Sequence, residues 1–179
     1  MSNLKYGIVL VGHGGLPSDC PDELISKLKR LESQRRKNGL PMSNEEIELD
    51  YVIRNWPRTP ETDPYQAGLE AVAKSLQSRL NGARLEIAYN EFCAPTLKEA
   101  VGSLINEGFA DITVISTMFT PGGSHSEIEI PEEVSELNKI LPNVNVNFAW
   151  PFDLEHVGKF LSEHIELHRK DIKCESSKT

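Results

Sequence analysis

The sequence DITVISTMFTPGGSHSEIEIP, residues 111–131, is the stretch that decides the fold. Its β-branched first part, residues 112–115, predicts a strand buried inside a sheet. The strand pattern stops at Pro121-Gly122-Gly123 and is followed by Ser124 and His125. We expect a helix to begin at Pro131, because proline is favoured in the first helical turn. The stretch therefore predicts a strand, a glycine-rich functional loop and a helix.

Three further strand patterns surround this stretch, at residues 6–11, 84–89 and 144–149. Helical patterns separate them, so the order is strand, an enlarged helical crossover at about 35–64, then alternating strands and helices. This order predicts a four-stranded parallel sheet with helices on both faces, which is a flavodoxin-like three-layer α/β sandwich. We expect one domain over residues 1–168 and a flexible tail over residues 169–179.

Composition limits the possible functions of the 179 residues. The formal net charge of −8 argues against non-specific binding to nucleic acid or to an anionic membrane, because such surfaces require clustered positive charge. No stretch reaches the roughly 20 apolar residues of a membrane span, and no signal sequence is apparent. The three cysteines, Cys20, Cys93 and Cys174, are widely spaced and match no metal or redox motif. These features predict a cytoplasmic protein with reduced thiols.

Three metal-ligating side chains follow three different strands. His13 comes directly after the first strand, Glu91 after the second and His125 after the third. Ligands of parallel α/β sheets bind at the carboxyl ends of the strands, so these side chains are expected to converge. Imidazoles and a carboxylate suit Fe(II), Co(II), Ni(II) or Zn(II), and a set of two or three leaves open positions for water or substrate.

Other interpretations of His13 fit the sequence less well. A phosphate-accepting histidine of the phosphoglycerate-mutase type requires an arginine immediately before it, whereas this chain has Gly12. The His-Gly-Gly segment would suit an esterase oxyanion hole, but no G-x-S-x-G elbow accompanies it around Ser124. Neither a P-loop nor a complete G-x-G-x-x-G fingerprint is present, so no nucleotide cofactor is expected. Considered without His125, His13 would be interpreted as a loop residue whose side chain forms a hydrogen bond with the backbone.

Two other groups of residues could bind a ligand or be structural. Trp56 beside Arg54 and Arg58 suits a planar ligand that bears carboxylates, although Trp56 could equally hold its loop against the core. The segment 27–37 is the most basic part of the chain, and its pattern favours a solvated helix face over an anion site. The pair His164 and His168, four residues apart, favours an exposed helix face over a metal site.

Several motifs resemble those of one protein family, the small single-domain sirohydrochlorin chelatases of the CbiX/SirB type, which are class II tetrapyrrole chelatases. The matching stretches lie at nearly all strand ends: residues 7–14, residues 89–91 with Pro95, and residues 121–125 with 129–131. The family pattern usually has a serine and an aspartate where this chain has Gly15 and Glu129. The crossover at about 35–64 is also longer than in the smallest members.

The resemblance implies the insertion of a divalent metal, Co(II), Fe(II) or Ni(II), into a sirohydrochlorin-like tetrapyrrole without ATP, on the path to cobalamin or sirohaem. His13 and His125 would be metal ligands and bases for the pyrrole protons, with Glu91 as a third ligand. The carboxylates of the macrocycle would need cationic or backbone N–H partners, and the candidates are Arg54, Arg58 and the glycine-rich loops with Gly12, Gly14, Gly122, Gly123 and Ser124. Family members of this length are commonly homodimers.

Two rival hypotheses belong to other functional classes. The first is a non-catalytic protein that binds a metal or a tetrapyrrole on the same fold. The second is a hydrolase or phosphotransferase that uses His13 on a flavodoxin-like sheet.

Overall fold

A computed structural model describes residues 5–176 of the chain, and the side chains of residues 5–169. Its four strands are β1 (Gly7–Gly12), β2 (Arg84–Tyr89), β3 (Asp111–Ser116) and β4 (Asn145–Phe148). They form one parallel sheet in the order β2-β1-β3-β4. The predicted four-stranded parallel sheet is therefore confirmed, and β1 lies inside it between β2 and β3.

Six α-helices connect and extend these strands within residues 5–176: α1 (Asp22–Asn38), α2 (Asn44–Arg54), α3 (Pro64–Gln77), α4 (Leu97–Asn106), α5 (Ile130–Ile140) and α6 (Leu154–Ser176). α1 and α2 lie in the enlarged crossover between β1 and β2. α6 continues through most of the segment expected to be a tail, and residues 177–179 lie outside the described part of the chain. No helix within residues 5–176 has both the length and the apolar character that crossing a membrane requires.

The sheet buries side chains on both of its faces because neighbouring residues of a strand point to opposite sides. Val9, Val11 and Val114 face α4 and α5 and form the larger core. On the other face, Ile8 and Leu10 pack with α3 through Leu69. Helices thus cover both faces, as the predicted sandwich requires.

The crossover has a small apolar cluster of its own. Leu28 of α1 packs with Leu49 and Ile53 of α2, and these side chains are buried. Ser43 caps α2 by accepting a hydrogen bond from the backbone N–H of Glu46 at 3.2 Å. The Glu46 carboxylate bonds Arg35 of α1 at 2.7 Å, which fastens the two helices together.

The apolar face of α6 is exposed, although such a stripe is typical of a buried helix. Leu154, Leu161 and Ile165 are 63%, 42% and 55% exposed. Phe160 and Leu167 of the same helix are exposed as well. The sequence pattern therefore predicts the helix, but its apolar side chains are not covered within the described chain.

Candidate metal centre

The loops after β1 and β2 are joined by backbone hydrogen bonds that continue the strand pairing. The N–H of Asn90 donates to the carbonyl of Gly12 at 2.9 Å, and the N–H of Glu91 donates to the carbonyl of His13 at 2.8 Å. The N–H of His13 donates to the Tyr65 hydroxyl at 2.7 Å. His13 and Glu91 are consequently held side by side by their own main chains.

The structure brings together the three side chains that the strand pattern predicts to converge. His13, Glu91 and His125 each offer one ligand atom, and these atoms lie within 4.8 Å of one another. The two imidazole rings meet edge to face with centroids 4.9 Å apart. Nε2 of His13 is 3.9 Å from Oε2 of Glu91. The cluster is half-buried, so it is accessible from solvent while part of its surroundings is protein.

Both histidines are oriented through Nδ1. Nδ1 of His13 lies 2.8 Å from the carbonyl oxygen of Gly14, and Nδ1 of His125 lies 2.9 Å from Oε2 of Glu129. These oxygens can only accept hydrogen bonds, so each contact requires the tautomer with hydrogen on Nδ1. The lone pair of each imidazole is then on Nε2. A carboxylate or carbonyl behind a histidine in this way is the usual support of a metal-ligating imidazole.

Asn90 connects this support to the cluster. Its Nδ2 donates to Oε2 of Glu129 at 3.0 Å and also lies 2.7 Å from Nδ1 of His125. With hydrogen on Nδ1 the second contact joins two donors and is not a hydrogen bond, so Asn90 acts on His125 through Glu129. Burial acts to raise the pKa of Glu129, but the hydrogen bonds from Asn90 and His125 outweigh it and lower the pKa below its usual value. Glu129 therefore remains a carboxylate that can hold the imidazole.

The helix after β3 begins earlier than the sequence predicts. His125–Glu129 form a π-helical turn that runs directly into α5, so the expectation of a loop until Pro131 is wrong. This turn places His125 and Glu129 on one face, four residues apart, with their side chains in contact. π-Helical turns are rare and occur frequently at functional sites.

Two glycines of the first loop are required by packing within the chain. Gly14 has a φ of +96°, and a Cβ added there would overlap the carbonyl oxygen of Glu91. A Cβ at Gly12 would overlap the side chain of Leu69. Both glycines are buried, and the structure does not present them to a ligand. Gly14 allows the His13 and Glu91 loops to pack closely, and Gly12 allows Leu69 of α3 to pack against the end of β1.

The glycine-rich loop before His125 is different, because it lies open on the surface. Gly122, Gly123 and Ser124 are exposed. Gly122 has a φ of +89° with open space around its Cα, and its N–H donates to Glu127 at 3.2 Å. Their exposed backbone is therefore accessible to a ligand.

Arg54 and Arg58 hold the Glu91 loop instead of facing a ligand. The Arg58 side chain is 4% exposed, pairs with Asp63, and donates to the carbonyls of Gly15 and Phe92. Arg54 pairs with Asp50 and donates to the carbonyls of Asn90 and Cys93, each at 3.1 Å. The expectation that these guanidiniums bind substrate carboxylates does not fit this geometry, since Arg58 is buried and Arg54 bonds Asp50 and two backbone carbonyls of the chain.

The arginines stabilise an unfavourable backbone conformation beside Glu91. Phe92 has a φ of +57°, in the left-handed region that costs free energy for residues other than glycine. Trp56 is half-buried and packs against the apolar cluster of α1 and α2. The enlarged crossover thus supports the Glu91 loop through Arg54 and Arg58. Trp56 holds its own loop against the apolar cluster, which is the structural alternative to ligand binding.

Asn90 and Glu129 are the site residues whose roles were not predicted from the sequence. A signal for Glu129 was present, because His125 and Glu129 have the spacing of neighbours on one helix face. It was hidden by the assumption that the segment before Pro131 is a loop. Asn90 has no signal beyond its position at the end of β2.

The cluster can hold a divalent cation or accept protons. Two imidazole nitrogens and a carboxylate oxygen suit Fe(II), Co(II), Ni(II) and Zn(II). Such a set leaves coordination positions open for water or for the donor atoms of a second molecule. Imidazole can also accept a proton near neutral pH, so the same side chains can act as bases.

Comparisons with known proteins identify relatives of this chain. A model of the CbiX family matches residues 61–165, a segment that contains Glu91 and His125. A sirohydrochlorin cobaltochelatase from Priestia megaterium is 31% identical over 67 residues, which are 37% of this chain and 22% of that protein. The matched segment therefore spans less than a quarter of the curated relative.

Solved structures share the fold. A CbiX protein from Marinobacter aquaeolei VT8 has a TM-score of 0.56 and 15% identity, and the match covers 93% of this chain and 98% of that one. The sirohydrochlorin chelatase SirB from Bacillus subtilis subspecies spizizenii, solved in complex with cobalt, has a TM-score of 0.51 and 16% identity. That match covers 82% of this chain and 43% of SirB.

Proposed function

The chain belongs to the CbiX family, and from that premise we propose that it is a chelatase that inserts a divalent metal into a sirohydrochlorin-type tetrapyrrole without ATP. The observation that carries the proposal is the cluster of His13, Glu91 and His125 at the carboxyl ends of three parallel strands. The cluster combines the two properties that the reaction needs, which are metal ligands with open coordination positions and bases for protons. A cytoplasmic location is part of the proposal.

The proposed reaction assigns a task to each side chain. The Nε2 atoms of His13 and His125 bind the incoming metal ion, which is a substrate, and Glu91 supplies an oxygen ligand. Insertion releases two pyrrole protons, and the imidazoles accept them as the macrocycle nitrogens replace the protein ligands. Glu129 and the Gly14 carbonyl keep the two rings in the required tautomer. The exposed loop at residues 122–124 contacts the macrocycle.

The ligand set does not discriminate among Co(II), Fe(II) and Ni(II), because all three accept imidazole and carboxylate. The relatives favour cobalt as the first metal to test. One is named a sirohydrochlorin cobaltochelatase, and the SirB structure contains cobalt.

The proposal includes a homodimer, and the exposed apolar face of α6 supports it. This face borders a groove of about 510 Å³ whose lining includes Leu10, Ile115, Phe152 and Phe160. Val72 of α3 is 51% exposed and also lines the groove. We assign a second copy of the chain as the occupant, since each copy offers both an apolar helix and an apolar groove, and a two-fold contact would cover both.

The test is an insertion assay with sirohydrochlorin and Co(II), followed by the change in macrocycle absorbance. We expect insertion by the native protein and loss of the protein-dependent rate in a His13→Ala, His125→Ala variant. A His164→Ala, His168→Ala variant is the matched control, because it removes two exposed histidines of α6 and should retain the rate.

Each rival hypothesis predicts a different outcome of this assay. Tight macrocycle or metal binding without insertion would favour the non-catalytic binding protein. Hydrolysis of phosphate esters that depends on His13 and needs no metal would favour the hydrolase. A native rate equal to that of the His13→Ala, His125→Ala variant would overturn the chelatase proposal.

A further inference from the structure

A polar cavity lies directly beside the metal cluster, on its α1 side. Its volume is about 360 Å³, and it is lined by Glu91 and by four residues of α1: Lys29, Glu32, Ser33 and Arg36. These four have the spacing i, i+3, i+4 and i+7, which places them on a single face of the helix. One face of α1 and the Glu91 side chain of the cluster therefore line the same cavity.

Two cations of this face have no carboxylate partner within the described residues. Lys29 and Arg36 make no ion pair there, whereas Lys27 pairs with Glu45 at 2.5 Å and Arg35 pairs with Glu46 at 2.7 Å. Both Lys29 and Arg36 are exposed. Lys27 and Arg35 of α1 therefore bind α2, whereas Lys29 and Arg36 line the cavity.

Arg36 lines this cavity together with Glu91 of the metal cluster. Burial, followed by the charge of Glu91, raises the pKa of Glu32 above its usual value. The cavity therefore has two cations and Glu32 on its α1 side and Glu91 on its cluster side.

We propose that Lys29 and Arg36 bind a peripheral carboxylate of the tetrapyrrole while its nitrogens face His13 and His125. This inference rests on the proposed function and names the residues that recognise its substrate. A protein of net charge −8 repels a polycarboxylate unless cations are placed near the site. Arg54 and Arg58 do not serve, because Arg58 is buried and Arg54 is bonded to Asp50 and to the carbonyls of Asn90 and Cys93. The guanidinium of Arg36 suits two-point contact with a carboxylate, and Lys29 adds a point charge.

The test measures binding of metal-free sirohydrochlorin, so it does not depend on insertion. A Lys29→Gln, Arg36→Gln variant is compared with an Arg30→Gln, Lys37→Gln variant. The control removes the same charge from adjacent positions of the same helix, which do not line the cavity. We expect the dissociation constant to rise about tenfold in the first variant and less than twofold in the second.

A macrocycle with all carboxylates esterified distinguishes carboxylate binding from an indirect effect. The difference between the two variants should disappear with the ester. Inorganic phosphate should compete only weakly for sirohydrochlorin binding, whereas strong competition would show that the cavity is a general anion site and would overturn the proposal.

The inference and the proposed function fail in different ways. One outcome is that the native protein binds sirohydrochlorin without inserting metal, while the Lys29→Gln, Arg36→Gln variant loses affinity as expected. In that case the chelatase proposal fails and the inferred binding site stands. Equal affinities of the two variants, or no binding by the native protein, would overturn the inference.

Discussion

The imidazoles of His13 and His125 lie edge to face, with ring centroids 4.9 Å apart and planes inclined by 79°. The two residues are 112 positions apart in the sequence and follow the adjacent strands β1 and β3. Each Nδ1 contacts an acceptor oxygen, so each Nε2 retains its lone pair. The backbone of a parallel sheet and two oriented hydrogen bonds thus arrange the two imidazoles that we propose as metal ligands.

Asn90→Ala should weaken the cluster without removing a ligand. Asn90 donates to Glu129, which accepts from Nδ1 of His125, so Asn90 orients His125 through Glu129. Loss of such a supporting residue typically costs about 10–100-fold in metal affinity. Co(II) titration by calorimetry would measure it. Asn55→Ala is the control, because Asn55 bonds only a carbonyl of its own helix, and an equal loss in both variants would contradict the role of Asn90.

Gly14→Ala and Gly122→Ala should differ, although both glycines have positive φ. The backbone conformation costs about 1–2 kcal/mol of folding free energy for any L-residue at either position. Only at Gly14 does the added Cβ also overlap the Glu91 carbonyl, so that variant should lose the cluster geometry as well. Thermal unfolding and Co(II) binding, measured on both, would separate the effects. Retained Co(II) affinity in Gly14→Ala would argue against the close packing of the two loops.

Arg58→Met should destabilise the protein strongly. Arg58 and Asp63 form an ion pair with side chains 4% and 2% exposed, and removal of Arg58 leaves a buried carboxylate without its partner. Breaking such a pair costs about 3–5 kcal/mol of unfolding free energy. Arg84→Met, which removes exposed pairs with Glu86 and Glu107, should cost less than about 1 kcal/mol. Urea unfolding gives both values, and similar costs would refute the buried role of Arg58.

Ile165→Glu should shift the protein to monomer if a second copy covers α6. Ile165 is 55% exposed in the apolar stripe, and a carboxylate there would have to be buried in the contact. Ser162→Glu adds the same charge to an exposed position outside the stripe and should leave the dimer intact. Sedimentation velocity would give the masses of the native protein and both variants. A native monomer, or a dimer unaffected by Ile165→Glu, would exclude this contact.

The strands and the convergence of His13, Glu91 and His125 could be predicted because both depend on local patterns. Apolar runs predict buried strands, and parallel strands bring their carboxyl ends to one edge. The start of the helix at His125 was missed because Pro131 is the stronger signal for a helix start, although the spacing of His125 and Glu129 fits one helix face.

The roles of the arginines depended on tertiary packing. Arg54 and Arg58 have the same side-chain chemistry as Arg36, yet the fold directs the first two into backbone carbonyls and leaves the third beside a cavity. No sequence pattern distinguishes these environments. The apolar stripe of α6 is a similar case. An amphipathic pattern predicts that one face of a helix is covered, but it does not predict whether the same chain or another molecule covers it.

The most direct test of the central claim is X-ray diffraction from crystals grown with Co(II), recorded at the cobalt absorption edge. The account predicts one strong anomalous peak about 2.0–2.2 Å from Nε2 of both His13 and His125, with an oxygen of Glu91 as a further ligand. A peak on other residues, or none at a saturating Co(II) concentration, would contradict the claim that these three side chains share one metal ion.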